Sequence, residues 1–68
     1  MKLSERLREL RKEKNETQEE AARAIEITCR QYQRFEAENS NPRYAVFCAL
    51  ADHFGVSLDY LAGRTDER

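Results

Sequence analysis

Apolar side chains recur at three- and four-residue intervals along most of the chain. No stretch keeps the strict alternation of a half-buried strand, so the pattern predicts an all-α protein. Leu3, Leu7 and Leu10 fall one turn apart and define the inner face of a first helix, expected over residues 4–14. Ala21, Ala22 and Ile25 mark the inner face of a second, where the two alanines allow a neighbouring helix to approach closely. Tyr32 and Phe35 share one face of a third. Tyr44, Phe47, Cys48, Leu50, Ala51 and Phe54 repeat at helical spacing on a fourth, with its aromatics expected in the core. Val56 is expected to be buried ahead of a short fifth helix over Leu58–Ala62.

The polar residues between these faces place the boundaries. Thr17 with Glu20 has capping-box spacing, and Thr28 with Gln31 repeats it eleven residues later. Two helix starts so close together leave the helix between them only about two turns, which is helix-turn-helix spacing. Asn41 is expected to cap the fourth helix, with Pro42 at its start. Gly55 and Gly63 should stop the last two helices, and Ser57 should cap the fifth. One domain over residues 1–63 thus precedes a polar tail, residues 64–68, which is expected to fray.

The third helix carries the chemistry. Arg30, Gln33 and Arg34 point away from Tyr32 and Phe35, and no acid precedes Glu36 on that helix. Guanidiniums and amides are the groups whose donors and acceptors match guanine O6/N7 and adenine N6/N7 in the major groove. The competing reading is a solvated polar face on an ordinary helix.

Charge complicates the picture. The chain has 12 basic and 13 acidic side chains, a net charge of −1, whereas a domain that holds nucleic acid by bulk electrostatics is usually clearly basic. The distribution is uneven: nine Lys/Arg against eight Asp/Glu through Glu36, then three against five. A basic face must therefore be local, and tight binding calls for two copies. Most charges of the first helix, among them Arg6, Arg8, Lys12 and Lys14 interleaved with Glu5, Glu9 and Glu13, read as surface pairs worth a few tenths of a kcal/mol each.

Other functions find little support. No nucleophile with a base, no carboxylate pair and no metal-ligand cluster is visible, so neither an enzyme nor a cofactor or metal is expected. His53 stands alone and reads as a surface histidine. Cys29 and Cys48 fall outside metal-ligand spacing and on separate helices, which fits a reduced, cytoplasmic protein. No apolar run approaches the ~20 residues needed to cross a bilayer, and no membrane partner is expected.

The landmarks LSERLRELR, TQEEAA, QRFE, NP and FGVSLDYLAG, in this order, resemble the Cro/cI-type (lambda-repressor-like, XRE) helix-turn-helix of phage repressors and their bacterial relatives over residues 3–63. The resemblance implies a compact five-helix domain with the helix-turn-helix at helices 2 and 3. It places the base-contacting positions on Cys29, Arg30, Gln33 and Arg34, and backbone contacts on Gln18, Thr28, Gln31, Asn39, Ser40 and Arg43. It also pairs Arg11 with Glu36. Two departures stand out. Glu26 occupies a turn position where relatives usually have glycine, and Ala21 stands where they commonly have leucine, a volume that Tyr32 and Phe35 are expected to fill. Glu38 would meet the phosphates unfavourably. Cys29 reads as a small side chain beside a base, with a redox switch as the alternative.

The expected function is a sequence-specific regulator of transcription, a repressor, that binds double-stranded DNA as a homodimer on a near-palindromic operator. Val46, Tyr60 and Leu61 are the candidates for its dimer face. The alternative is a protein-interaction module on the same scaffold, with a protein partner, as in an antitoxin or anti-repressor.

Overall fold

A computed structural model describes residues 2–37 and 41–68. Among them are five helices and no strand: α1 Leu3–Glu13, α2 Gln18–Ala24, α3 Cys29–Ala37, α4 Tyr44–Phe54 and α5 Leu58–Ala62. The fold is all-α, as the periodicity predicts.

Reciprocal caps set the lengths of the middle helices. Thr17 Oγ1 accepts from the Glu20 amide at 3.1 Å, and Glu20 Oε1 accepts from the Thr17 amide at 2.8 Å. The same exchange joins Thr28 Oγ1 to the Gln31 amide at 3.1 Å and Gln31 Oε1 to the Thr28 amide at 3.0 Å. With each start fixed by its own box, α2 has room for only seven residues. Ser57 caps α5 by accepting from the Tyr60 amide at 3.0 Å. Gly55 and Gly63 end α4 and α5 in the left-handed region, at φ 67° and 79°, where a residue with a Cβ is strained.

The start of α4 differs from expectation. Arg43, extended at ψ 158°, holds the N-cap position and accepts the first helical bond from the Phe47 amide at 2.8 Å. Asn41 and Pro42 therefore lie outside the helix. Tyr44 is also not a core residue: it is 75% exposed. Helical side chains lean toward the N-terminus, so the first residue of α4 covers open surface beyond the end of the core.

The core consists of Leu7, Leu10, Ala21, Ala22, Tyr32, Leu50, Ala51, Tyr60 and Leu61, with Ile25, Ile27, Phe35, Phe47, Phe54 and Val56 packed partly against it. Tyr32 is completely buried in the same core cluster as the alanines of α2, whereas Phe35 is only partly buried against it. Tyr60 and Leu61, expected on a dimer face, are core side chains at 6% and 0% exposure. A five-residue α5 has one inner face to contribute, and this pair occupies it; Val46 remains half-buried.

Arg6 and the tail depart furthest from the sequence reading. Arg6 is 2% exposed, with its guanidinium carbon 3.9 Å from the centre of the Tyr60 ring. Asp66 of the tail meets this buried guanidinium from the solvent side at 2.8 Å. Arg68 adds a hydrogen bond to Glu13 Oε1 at 2.7 Å, and its carbonyl accepts from the Ser57 amide at 3.0 Å. Residues 64–68 are polar but docked across α1 and α5, not frayed.

Candidate nucleic-acid interface

The turn between α2 and α3 sets the angle of the presenting helix. The Ile27 amide bonds back to the Ala22 carbonyl at 3.0 Å and the Glu26 amide to the Arg23 carbonyl at 3.1 Å, which closes the end of α2. This closure requires a left-handed residue at position 26, and Glu26 adopts it at φ 61°. The turn is thus the one a glycine would form, with glutamate tolerating the strain. Asn15, at φ 56°, ends α1 in the same way.

On α3, Arg30, Gln33 and Arg34 are exposed on the outer side, Cys29 is half-buried, and Tyr32 and Glu36 are buried. Thr28 and Gln31 are exposed, but the Gln31 carbonyl is committed to Thr28, accepting from its amide and, at 3.2 Å, from its hydroxyl. A groove of about 370 Å³ between α3 and the start of α4 is lined in part by Gln31, Arg34 and Arg43. The fold so brings three of the sequence-nominated residues to one place. Asn39 and Ser40, nominated for the DNA backbone, and Glu38 lie outside the described residues.

A charged anchor holds α3 to the rest of the domain. Arg11 donates from Nε to Glu36 Oε2 at 2.8 Å and from Nη2 to Oε1 at 3.2 Å, while its Nη1 bonds the Glu16 carbonyl at 2.9 Å. Gln18, the first residue of α2, adds a bond from Nε2 to Glu36 Oε1 at 3.2 Å. Burial works to raise the Glu36 carboxyl, but Arg11 first, then the Tyr32 phenol and Gln18, outweigh it and hold the group below the usual glutamate range. The bond to Glu36 raises Arg11 in turn. Burial pushes the nearby Tyr32 phenol up, and the Glu36 charge adds to that shift. Gln18 then passes the network outward: its Oε1 accepts from Gln33 Nε2 at 3.3 Å.

Two residues escaped the sequence reading. His53 is not a lone surface side chain. Its Nε2 lies 2.9 and 2.8 Å from the two carboxylate oxygens of Glu16, both residues are about 15% exposed, and Lys14 donates to the His53 carbonyl at 3.1 Å. Its partner comes from the connection between α1 and α2, 37 residues away in sequence, where spacing along α4 gives no hint. Arg6 did carry a signal: it stands three residues after Leu3 and four before Leu10, on the apolar face of α1.

The capped helix pair, its tight turn and the outward polar face of α3 together define a helix-turn-helix domain. The helix-turn-helix family model matches residues 7–61, and the chain belongs to that family. It is 40% identical over 63 residues to an uncharacterised HTH-type transcriptional regulator of Bacillus subtilis, YobD, covering 93% of this chain and 56% of that one. It is 38% identical over 69 residues to the cryptic phage CTXphi transcriptional repressor RstR of Vibrio cholerae serotype O1, covering 98% of this chain and 62% of that one. The chain therefore spans less than two thirds of the length of these relatives.

Proposed function

We propose that this chain is a sequence-specific, DNA-binding regulator of transcription, a repressor acting in the cytoplasm on a near-palindromic operator. The observation that carries the reading is the exposure of Arg30, Gln33 and Arg34 on one side of α3, a helix tied to α1 near its far end by the Arg11–Glu36 pair. The names of the two relatives support it.

In this reading α3 lies in the major groove. Arg30 and Arg34 each take a guanine bidentately, Gln33 reads an adenine, and half-buried Cys29 packs against a base edge. Gln18, Thr28, Gln31 and Arg43 meet phosphates, which fix register without reading sequence. One domain of net charge −1 binds weakly, so two copies place their α3 helices in successive major grooves, about 34 Å apart. Half-buried Val46 is the remaining nominee for the dimer face.

The test is selection of bound fragments from random duplex DNA at two salt concentrations, with the parent and Arg34→Ala side by side. A palindromic consensus that relaxes at one position per half-site in the variant, with affinity falling as salt rises, supports direct readout. Recovery of no consensus from either protein sinks the operator reading. The excess of acid after Glu36, five against three, favours the second reading, a module that binds a protein partner. That reading would then be the one to pursue.

A further inference from the structure

Glu36, Gln18 and Gln33 form a chain of hydrogen bonds that runs from the buried anchor to the outer face of α3. The direction of that chain is dictated by charge. Glu36 is 2% exposed and ionised against Arg11, so its oxygens only accept. Gln18 must therefore turn its NH2 toward Glu36, which leaves its carbonyl on the far side. Gln33 must in turn present its own NH2 to that carbonyl, at 3.3 Å, and so its Oε1 is left facing outward. An isolated exposed glutamine offers either end of its amide equally. Here a buried carboxylate two links away chooses the end.

We infer that Glu36 and Gln18 are positioning residues that fix the donor and acceptor order of the Gln33 amide and so make Gln33 a reader of adenine over guanine. This rests on the reading of α3 as the helix that enters the major groove. Adenine presents an N6 donor and an N7 acceptor, whereas guanine presents acceptors at both O6 and N7. With its order fixed, Gln33 accepts from N6 through Oε1 and donates to N7 through the second hydrogen of Nε2, the first being held by Gln18. Guanine in the same place sets its O6 against Gln33 Oε1, and the amide cannot flip to relieve the clash without breaking its bond to Gln18. Gln18 thus has a task besides any phosphate contact. Discrimination at this position is organised before DNA arrives.

Side-chain amide spectra of the free protein provide the first half of the test. In the parent, the Gln33 NH2 resonances should be displaced from those of a free glutamine. They should collapse to that position in Gln18→Met, which keeps the length of the side chain and removes its carbonyl. Glu36 retains Arg11 on both oxygens in this variant, so the fold persists. A Gln33 amide that already resembles free glutamine in the parent overturns the relay.

The second half is binding to duplexes that differ at single positions. The parent should prefer adenine to guanine at one position of each half-site by about tenfold or more. Gln18→Met and Gln33→Ala should both lose that preference while keeping those set by Arg30 and Arg34. Glu36→Gln, whose neutral amide can present either end to Gln18, should relax the same position. Uniform weakening in Gln18→Met with every preference intact makes Gln18 a phosphate anchor alone and overturns the inference. A parent with no consensus overturns the adenine assignment together with the operator reading. The amide spectra of that same protein then separate this failure from a failure of the relay.

Discussion

Arg11 grips both carboxylate oxygens of Glu36 across 25 residues of chain, at 2.8 and 3.2 Å, and Glu36 is almost wholly out of water. The pair ties α1 to the C-terminal half of α3. Glu36→Ala leaves a half-buried guanidinium without its anion, and removing one partner of such a pair costs about 3–5 kcal/mol. We expect a large fall in the urea midpoint, with Arg11→Met falling by a similar amount. A change below about 1 kcal/mol in both would show that the pair adds little to stability.

The same carboxylate makes stability depend on acid. Its folded value lies below the ordinary 4.5, so the stabilisation is present above that value and is lost as pH falls through the depressed folded one. Glu13, held down by its bond to Arg68, and Glu20, held down by the Thr17 cap, contribute with the same sign. Thermal melts from pH 7 to pH 2 should show the parent losing stability below about pH 4.5. Glu36→Gln, less stable at neutral pH, should converge on the parent at the acid end. Parallel curves would assign the acid sensitivity to other carboxylates.

Glu26 holds a left-handed backbone that costs a residue with a Cβ roughly 1–2 kcal/mol. Glu26→Gly should therefore raise the melting temperature, by about 1 kcal/mol of stability once the greater freedom of glycine in the unfolded chain is subtracted. Asn15→Gly should gain less, because asparagine tolerates this region better. A destabilised Glu26→Gly would mean that the side chain makes a contact worth more than the strain.

Arg6 and Asp66 are an unequal pair. Arg6 is 2% exposed and Asp66 99%, so water screens the aspartate while the guanidinium depends on its packing against Tyr60. Asp66→Asn should cost less than about 1 kcal/mol and less still in high salt. Arg6→Ala should cost about 2 kcal/mol or more, because it also removes the closer of the two guanidiniums packed on Tyr60. Equal losses in chemical denaturation would contradict this division.

Sequence reading succeeded where the cause of structure is local. Thr17, Thr28 and Ser57 bond within their own first turns, and Gly55 and Gly63 act through their own backbone angles, so spacing alone revealed them. The outward side chains of α3 follow from its periodicity for the same reason. Arg43 took the cap expected of Asn41 because extended backbone decides that position, with no side-chain bond for a motif to record. Glu16 with His53, Arg6 with Asp66 and Gln18 with Gln33 join residues 37, 60 and 15 positions apart. Such contacts arise only when segments distant in sequence meet, and the composition of one helix does not announce them.

The burial of Tyr32 gives the chain an optical signature. It has three tyrosines and no tryptophan, and they occupy three surroundings: Tyr32 sealed in the core, Tyr60 beneath two guanidiniums, and Tyr44 in the solvent. Because burial and the neighbouring carboxylate keep the Tyr32 phenol protonated well above its ordinary range, it stays neutral in strong alkali for as long as the core is closed. The ultraviolet absorbance of its phenolate should therefore appear together with unfolding, as a step separate from that of exposed Tyr44, and that step of an alkaline titration reports the opening of this fold without any added label.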